Sequence, residues 1–280
     1  MMSETILVLG ATGKTGRRVT ARLREAGRDV RPASRSGGTR FDWGDESTWA
    51  AALTGAQAVY LVPPTLPSQA QQVVPSFVKR AVSAGVRRLV LLSARGIDAA
   101  GDEKLLTSER TVRESGAQWT IVRPAWFAQN FSEAFFLPQI LGGVLAVPAG
   151  EGREPFVDVD DIADVAVAAL TGDGHHGKIY ELSGPEALSF AEAAARIGAA
   201  TGREIRFVDL DSDSFLKGSA DAGVPDEHAA ILLGLFQAIR NGWDAHLSTG
   251  VRDALGRDPR DFDAYVRAAA ESGAWAGTSD

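Results

Sequence analysis

Cysteine is absent from all 280 residues, which excludes disulfides, thiolate metal sites and a cysteine nucleophile. Histidine is scarce: His175, His176, His228 and His246 are the complete set. The adjacent pair sits in "TGDGHHGK", a turn between a helix and a strand, with no carboxylate at a metal-ligand spacing. It reads as a solvated loop, and no metal site is expected. No apolar run approaches the roughly 20 residues needed to cross a bilayer. The opening "MMSETILVLG" has no basic n-region and no long apolar stretch, so a soluble, cytoplasmic protein without a membrane partner is expected. Positive charge is also in deficit, 29 Lys and Arg against 36 Asp and Glu, for a net charge of −7. That balance disfavours nucleic acid as a partner. Any anionic ligand must then be held by local features.

One such feature opens the chain. "VLGATGKTGRR" contains Gly-Lys-Thr, the end of a triphosphate-binding P-loop, but the glycine required five positions earlier is Val8, inside an apolar run. Gly10, Gly13 and Gly16 instead recur every third residue between "TILVL", a buried-strand run, and "KTGRRVTARLREAG", a helix that ends at Gly27. Strand, tight glycine turn and helix make a dinucleotide-binding unit in a G-x-x-G-x-x-G variant. Gly10 permits the turn, Gly13 lets the backbone approach a pyrophosphate, and Gly16 lets the helix pack closely.

Strand and helix signals then alternate, which predicts a Rossmann-type α/β fold, a doubly wound parallel sheet with first strand order 3-2-1-4-5. Strands are read at 29–34, 39–43, 56–62, 87–93 and 118–124. Between them lie helices at "ESTWAAAL", from Pro67 to Gly85, and at "EKLLTSERTVRESG". "DDIADVAVAALT" and "KIYELSG" add one more helix–strand step, with the acids of "DDIA" read as helix-capping. Residues 1–184 are taken as the NAD(P)-binding domain and 185–280 as a smaller, mostly helical substrate or lid lobe, with 126–150 contributing to the substrate cleft. At the end of the second strand, where a carboxylate usually grips the adenosine ribose, stand Ser34 and Arg35. A guanidinium suits a 2′-phosphate, so NADP(H) is favoured over NAD(H).

With "GATGKTG", "ASR", "FDW…TW", "AVYLVPP", "SERTVRESGAQWTIVRPAWFAQNF", "FVDVDDIADVA" and "YELSGPEALSFAEAA", the chain resembles the NmrA-like atypical short-chain dehydrogenase/reductases along its whole length. "FDWGDESTW" and "IVRPAWFAQNFSE" look most like the branch holding the ergot-alkaloid reductases (festuclavine and agroclavine dehydrogenase-like proteins). The resemblance implies that Thr12, Lys14 and Thr15 lie along the pyrophosphate and that Asp42 bonds the adenine amino group. It puts Pro63 and Pro64 near the adenosine ribose, with Ser93, Ala94, Pro124 and Ala125 bordering the nicotinamide. Trp126, Phe127, Asn130 and Glu133 are candidates for the substrate cleft, with core packing an equal reading for Phe127.

The catalytic Tyr-x-x-x-Lys pair of the main short-chain groups is missing. Four residues after Tyr60, Tyr180 and Tyr265 stand Pro64, Gly184 and Ala269. Aligned on Glu109, the usual tyrosine and lysine positions hold Gly101 and Leu105. Two readings follow. One is an NADP(H)-dependent reductase of an already activated acceptor, an imine or iminium or a conjugated quinone or enone, with an aromatic or alkaloid-like substrate suggested by "AWFAQNFSEAFF". The other is a non-catalytic NADP(H)-binding redox sensor of NmrA type. Oligomeric state stays open.

Overall fold

The computed structural model describes residues 4–97, 103–133, 135–243 and 245–276, and only the backbone of 103–105. In chain order the elements begin β1 (Thr5–Leu9), α1 (Lys14–Glu25), β2 (Val30–Ser34), β3 (Thr39–Arg40), α2 (Trp49–Leu53) and β4 (Ala56–Leu61). There follow α3 (Pro67–Ser83), β5 (Arg88–Leu92), α4 (Glu103–Arg113), β6 (Gln118–Pro124) and α5 (Leu137–Leu141). Next come β7 (Val144–Val147), β8 (Arg153–Glu154), α6 (Val159–Thr171), β9 (Lys178–Leu182) and β10 (Leu188–Ser189). The chain closes with α7 (Phe190–Thr201), β11 (Arg206–Asp209), α8 (Ser212–Asp221), α9 (Asp226–Arg240), α10 (Gly250–Leu255) and α11 (Phe262–Glu271).

These elements form two compact units. The first holds residues 1–124, 159–182 and 249–258 and carries a seven-stranded parallel sheet in the order β3-β2-β1-β4-β5-β6-β9. Strand order therefore reverses beside β1, as the alternation predicts, and the glycine turn leaves from this switch point. Leu7, Leu9, Val59, Leu61, Leu89 and Leu91 point to one face, against Trp49 and Phe77. The rings of Phe41, Trp43, Trp49 and Phe77 pack edge to face there, with centroids 5.0 to 5.5 Å apart in four of their contacts. On the other face α1 lies beside α6. Arg22 of α1 binds Asp160 and Asp164 at 2.6 Å each, and Arg257 binds Asp161 and Asp164 at 2.7 and 2.6 Å. The "DDIA" acids do occupy the first turn of α6, and beyond any effect on the helix dipole they are held in ion pairs.

The second unit holds residues 125–158, 183–248 and 259–280. Its α7 starts with a capping box: the Ser189 hydroxyl accepts the Glu192 N–H at 3.1 Å, and Glu192 Oε2 accepts the Ser189 N–H at 2.9 Å. Gly202, at φ +66°, ends that helix. Phe131, Phe136, Phe190 and Phe236 are fully buried at its centre.

The units interleave along the chain, whereas the sequence reading divides it into consecutive stretches at 184. Pairing over long separations explains the difference. β7 joins β11 in parallel and β8 joins β10 antiparallel, which draws 125–158 into the second unit. α10 returns to β9 in the first, where Gly250 lies so close that a Cβ would stand 2.1 Å from the Glu181 carbonyl oxygen. The strand read at 39–43 also shortens to Thr39–Arg40, because Asp42 Oδ1 accepts the Gly44 N–H at 2.9 Å and turns the chain.

Gly250→Ala should lower the melting temperature by roughly 3–10 °C, since overpacking of this kind costs about 1–3 kcal/mol. Gly218→Ala, inside α8 with open space around it, should instead stabilise by about 0.5–1 kcal/mol. Thermal unfolding of both variants checks the pair, and equal shifts would contradict the close approach.

Candidate functional site

After Leu9 the chain reverses at Gly10, whose φ of +61° is left-handed, and the Gly13 N–H closes the turn on the Gly10 carbonyl at 2.8 Å. Gly16 presses against the same group. A Cβ there would stand 2.2 Å from the Gly10 oxygen. Gly13 is the N-cap of α1 with φ −79°, a conformation any residue adopts, so its backbone does not demand glycine. A Cβ there would stand 3.2 Å from the Gly10 oxygen, and its absence keeps side-chain atoms off a helix end with no side-chain cap and no acid in its first turn. Unpaired N–H groups and the helix dipole make that end a seat for an anion.

Beside the turn lies a cavity of about 310 Å³, walled among others by Thr12, Arg17, Thr20, Arg24, Ser34 and Gly37. The Thr20 and Ser34 hydroxyl oxygens are buried and have no hydrogen-bond partner among the described residues. A Cβ on Gly37 would come within 2.7 Å of the Ser34 hydroxyl, so glycine keeps that group uncovered. Each buried hydroxyl left unpaired costs about 1–3 kcal/mol. Two of them in one cavity fit a polar ligand, and these residues fit a dinucleotide carrying phosphate. Arg35 is exposed and is not a wall of the cavity. Asp42 keeps Oδ1 on the Gly44 N–H, and Pro63 and Pro64 are half-buried directly after β4.

At the end of β5, Ser93 is half-buried and Ala94 exposed. The Ser93 hydroxyl donates to Glu109 Oε1 at 2.7 Å. Arg123 of β6 grips the same carboxylate with Nε and a terminal nitrogen, both at 2.8 Å, and Arg113 adds a contact at 2.8 Å. Burial alone would raise the Glu109 carboxyl, yet the hydrogen bonds from Arg123 and Ser93 and the charges of Arg123 and Arg113 hold it below its ordinary value. Glu109 thus stays ionised. The sequence analysis does not identify this triad; its signal is the pairing of a helix acid with an arginine one residue before the end of the next strand.

The three tyrosines are each accounted for. Tyr60 is fully buried on β4, and burial pushes its hydroxyl far above the ordinary value, tempered by Thr15, which stands outside hydrogen-bonding geometry. Tyr180 bonds His175 Nδ1 at 2.9 Å, and Tyr265 donates to Ser132 at 2.9 Å inside the second unit. His175 and His176 are structural as much as solvated, since His176 Nδ1 accepts the Trp119 N–H at 3.1 Å. Gly101 lies outside the described residues, as does the Leu105 side chain.

Pro124 ends the first stretch of the first unit, and Ala125, buried, begins the second unit. In the second unit the Trp126 ring packs on Phe136 at 6.1 Å and Phe236 at 5.0 Å. It belongs to the edge of an aromatic core. Phe127 is half-buried beside Val157, and Asn130 and Glu133 are half-buried on the turn that follows. No cluster of three metal-ligating side chains occurs among the described residues, and no described helix is long and apolar enough to cross a membrane.

A glycine turn at the switch point of a parallel sheet, with an uncapped helix behind it, defines a dinucleotide-binding protein. The family model described as NAD(P)H-binding matches residues 10–173, and the chain belongs to that oxidoreductase family, with the NmrA-like fold. Agroclavine dehydrogenase of Claviceps fusiformis is 32% identical over 94% of this chain and 96% of its own. Among solved structures, the NADPH-dependent quinone oxidoreductase QOR2 of Escherichia coli, complexed with NADPH, superposes with a TM-score of 0.80 at 23% identity, covering 93% of this chain and 98% of the other. NmrA, a negative transcriptional regulator, superposes at 0.75 with 16% identity over 100% and 99%.

Glu109→Gln should destabilise by about 3 kcal/mol, because Arg123, with 6% of its side chain exposed, loses its nearer ionised partner and is left with the longer contact to Glu181 at 3.6 Å. Sign follows from the depressed folded-state value. The carboxylate's contribution is complete above the unfolded value near 4.5 and is lost as pH falls through the lower folded one. Urea midpoints measured from pH 6 down to pH 3 should fall less steeply in the variant than in the parent. Parallel curves would remove Glu109 from this role.

Proposed function

We propose that the protein is an NADP(H)-dependent reductase of acceptors that need no strong acid: imines or iminium ions, or conjugated quinones and enones. The observation that carries this is the state of the hydroxyls. Tyr60 is sealed, Tyr180 and Tyr265 are engaged elsewhere, and the proton of Ser93 is committed to an ionised Glu109. A ketone that accepts hydride becomes an alkoxide and must be protonated or stabilised as it forms, a service worth roughly 10²–10⁴-fold in rate. An iminium carbon that accepts hydride becomes a neutral amine in the same step, and a quinone spreads its new charge over the ring. The name of the quinone oxidoreductase agrees with a conjugated acceptor.

The bound reduced nicotinamide would supply the hydride, and the residues of the chain would supply position. Gly10, Gly13 and Gly16, with Thr12, Lys14 and Thr15, hold the pyrophosphate on the end of α1. Ser34 and Arg35 take the adenosine phosphate, Asp42 the adenine amino group, and Pro63 and Pro64 flank the ribose. Ser93, Ala94 and Pro124 border the nicotinamide, where Ser93, its own proton given away, presents lone pairs to an N–H donor. Phe127, Asn130 and Glu133 orient the acceptor. The aromatic packing of Trp126 gives it a supporting part there.

NADPH oxidation should run faster on a cyclic iminium or a quinone than on the ketone analogue of each. Faster ketone turnover would overturn the reading, and tight NADPH binding without turnover of any acceptor would transfer it to the NmrA type of redox sensor. Separately, Arg35→Asp should weaken NADPH binding about tenfold or more while changing NADH little, because a charge-assisted contact worth about 1.5–3 kcal/mol becomes a repulsion. Isothermal titration with both dinucleotides checks it.

A further inference from the structure

One buried group of the first unit has no task in the protein alone. Tyr60 of β4 is fully buried, and its hydroxyl has no hydrogen-bond partner among the described residues. It stands in "AVYLV", where every other side chain is apolar, and its register neighbours on the adjoining strands are Val8 and Val90. Residues in register on a parallel sheet point to the same face, so two valines flank the ring and offer the hydroxyl nothing. A buried hydroxyl left unpaired costs about 1–3 kcal/mol, which phenylalanine would avoid at nearly the same volume. The polar side chain that the phenol approaches is Thr15, whose nearness tempers the upward shift that burial imposes. Thr15 is the second residue of α1 and only 5% exposed. The end of that helix is the anion seat, with no side-chain cap and no acid in its first turn. The idle phenol therefore stands behind the seat, one side chain removed from it.

We propose that Tyr60 is a positioning residue for the dinucleotide: with a pyrophosphate on the end of α1, the Tyr60 hydroxyl donates to Thr15 Oγ1 and the Thr15 hydroxyl donates to the pyrophosphate. This rests on the cofactor reading above and adds to it a residue that never touches the ligand. A threonine hydroxyl has one proton and two lone pairs, so while it donates to an anion its oxygen can still accept from behind. In a helix, threonine divides between two χ1 rotamers, because its oxygen can also turn back to a carbonyl of the preceding turn. A phenol placed to meet one rotamer biases that choice. In the chain from phenol to threonine to phosphate oxygen, each hydrogen bond polarises the next. No proton is transferred along it. Burial holds the Tyr60 phenol above its ordinary value, so it stays protonated, and a donor, through neutral pH.

The test is calorimetric titration with ADP and adenosine, which differ by the pyrophosphate, alongside the melting temperature of the ligand-free protein. The parent should bind ADP much more tightly than adenosine. Tyr60→Phe should weaken ADP about 3–10-fold, the worth of one hydrogen bond, while leaving adenosine within about twofold. The same variant, free of ligand, should melt no lower than the parent, because an unpaired buried hydroxyl is gone. Lost affinity without lost stability is a combination that a merely packing tyrosine would not give. Thr15→Val should weaken ADP as well, and adding Tyr60→Phe to it should cost nothing further, since the phenol acts through Thr15. Thr15→Ser, which keeps a hydroxyl, should keep the dependence on Tyr60. ADP bound by Tyr60→Phe as tightly as by the parent, or losses that add in the double variant, would overturn this inference and leave the cofactor reading intact. A parent that binds ADP no better than adenosine would overturn the pyrophosphate seat, and this inference with it.

Discussion

Gly16 has room for a hydrogen atom and nothing larger, because the Gly10 carbonyl would lie 2.2 Å from any Cβ placed there. That single approach decides where α1 starts and where its free N–H groups point. Gly10 must be left-handed for the chain to reverse so soon after β1, and Gly13 must leave the front of the helix bare. Once the start of α1 is pinned, its far side is pinned as well: Arg18 and Arg22 reach Asp160, and Arg22 also reaches Asp164, of α6. The helix is held at its N-terminus by contact and along its length by charge. A seat for an anion formed in this way exists before any ligand arrives, which lowers the ordering cost of binding.

Charge is the second theme, and the global figure misleads. The chain carries −7 overall, yet the acids of the first unit nearest α1 are consumed by arginines. Asp160, Asp161 and Asp164 are paired with Arg22 and Arg257, so their fields largely cancel at a distance. α1 thereby sorts its arginines by face. Arg18 and Arg22 pair with acids of α6, while Arg17 and Arg24 lie along the cavity wall. A basic pocket can sit on an acidic protein because the relevant distance is a few ångströms, within the screening length at physiological salt, and not the span of the molecule.

Much of the fold was legible because its signals are local. "TILVL" is buried along nearly all its length, the glycine spacing follows at once, and "QWTIVRP" is β6 to the residue. The order of the first five strands followed from alternation and handedness. What could not be read depended on partners distant in sequence. β7 and β11 meet across some sixty residues, and α10 leaves the helical region to lie on β9, so the division of the chain into units escaped a reading that moves along it. In the candidate site the glycines were legible for the same local reason. Arg35 drew attention by its place after β2, whereas Arg17 required the phase of α1 relative to the cavity. Glu109 and Arg123 are fourteen residues apart, and only the fold brings a helix side chain and a strand side chain into one buried pair. The core role of Trp126 was equally hidden, since Phe136, the N-cap of α5, and Phe236 of α9 reach it from later parts of the chain.

The chemistry of the first unit rests on where protons are kept. A carboxylate gripped by two arginines is a poor base, and a serine that donates to it is a poor acid, so the Ser93–Glu109–Arg123 group cannot trade protons readily near neutral pH. Its stiffness has another use. Four charge-assisted hydrogen bonds on one carboxylate fix the Ser93 oxygen in place at the end of β5, the edge of the sheet where ligands of this fold bind. Positioning of this kind is worth most where the reaction asks for alignment and least where it asks for a proton. Under the function proposed above, a hydroxyl held still by a buried ion pair, with the tyrosines sealed or engaged, suits acceptors that arrive already charged or conjugated.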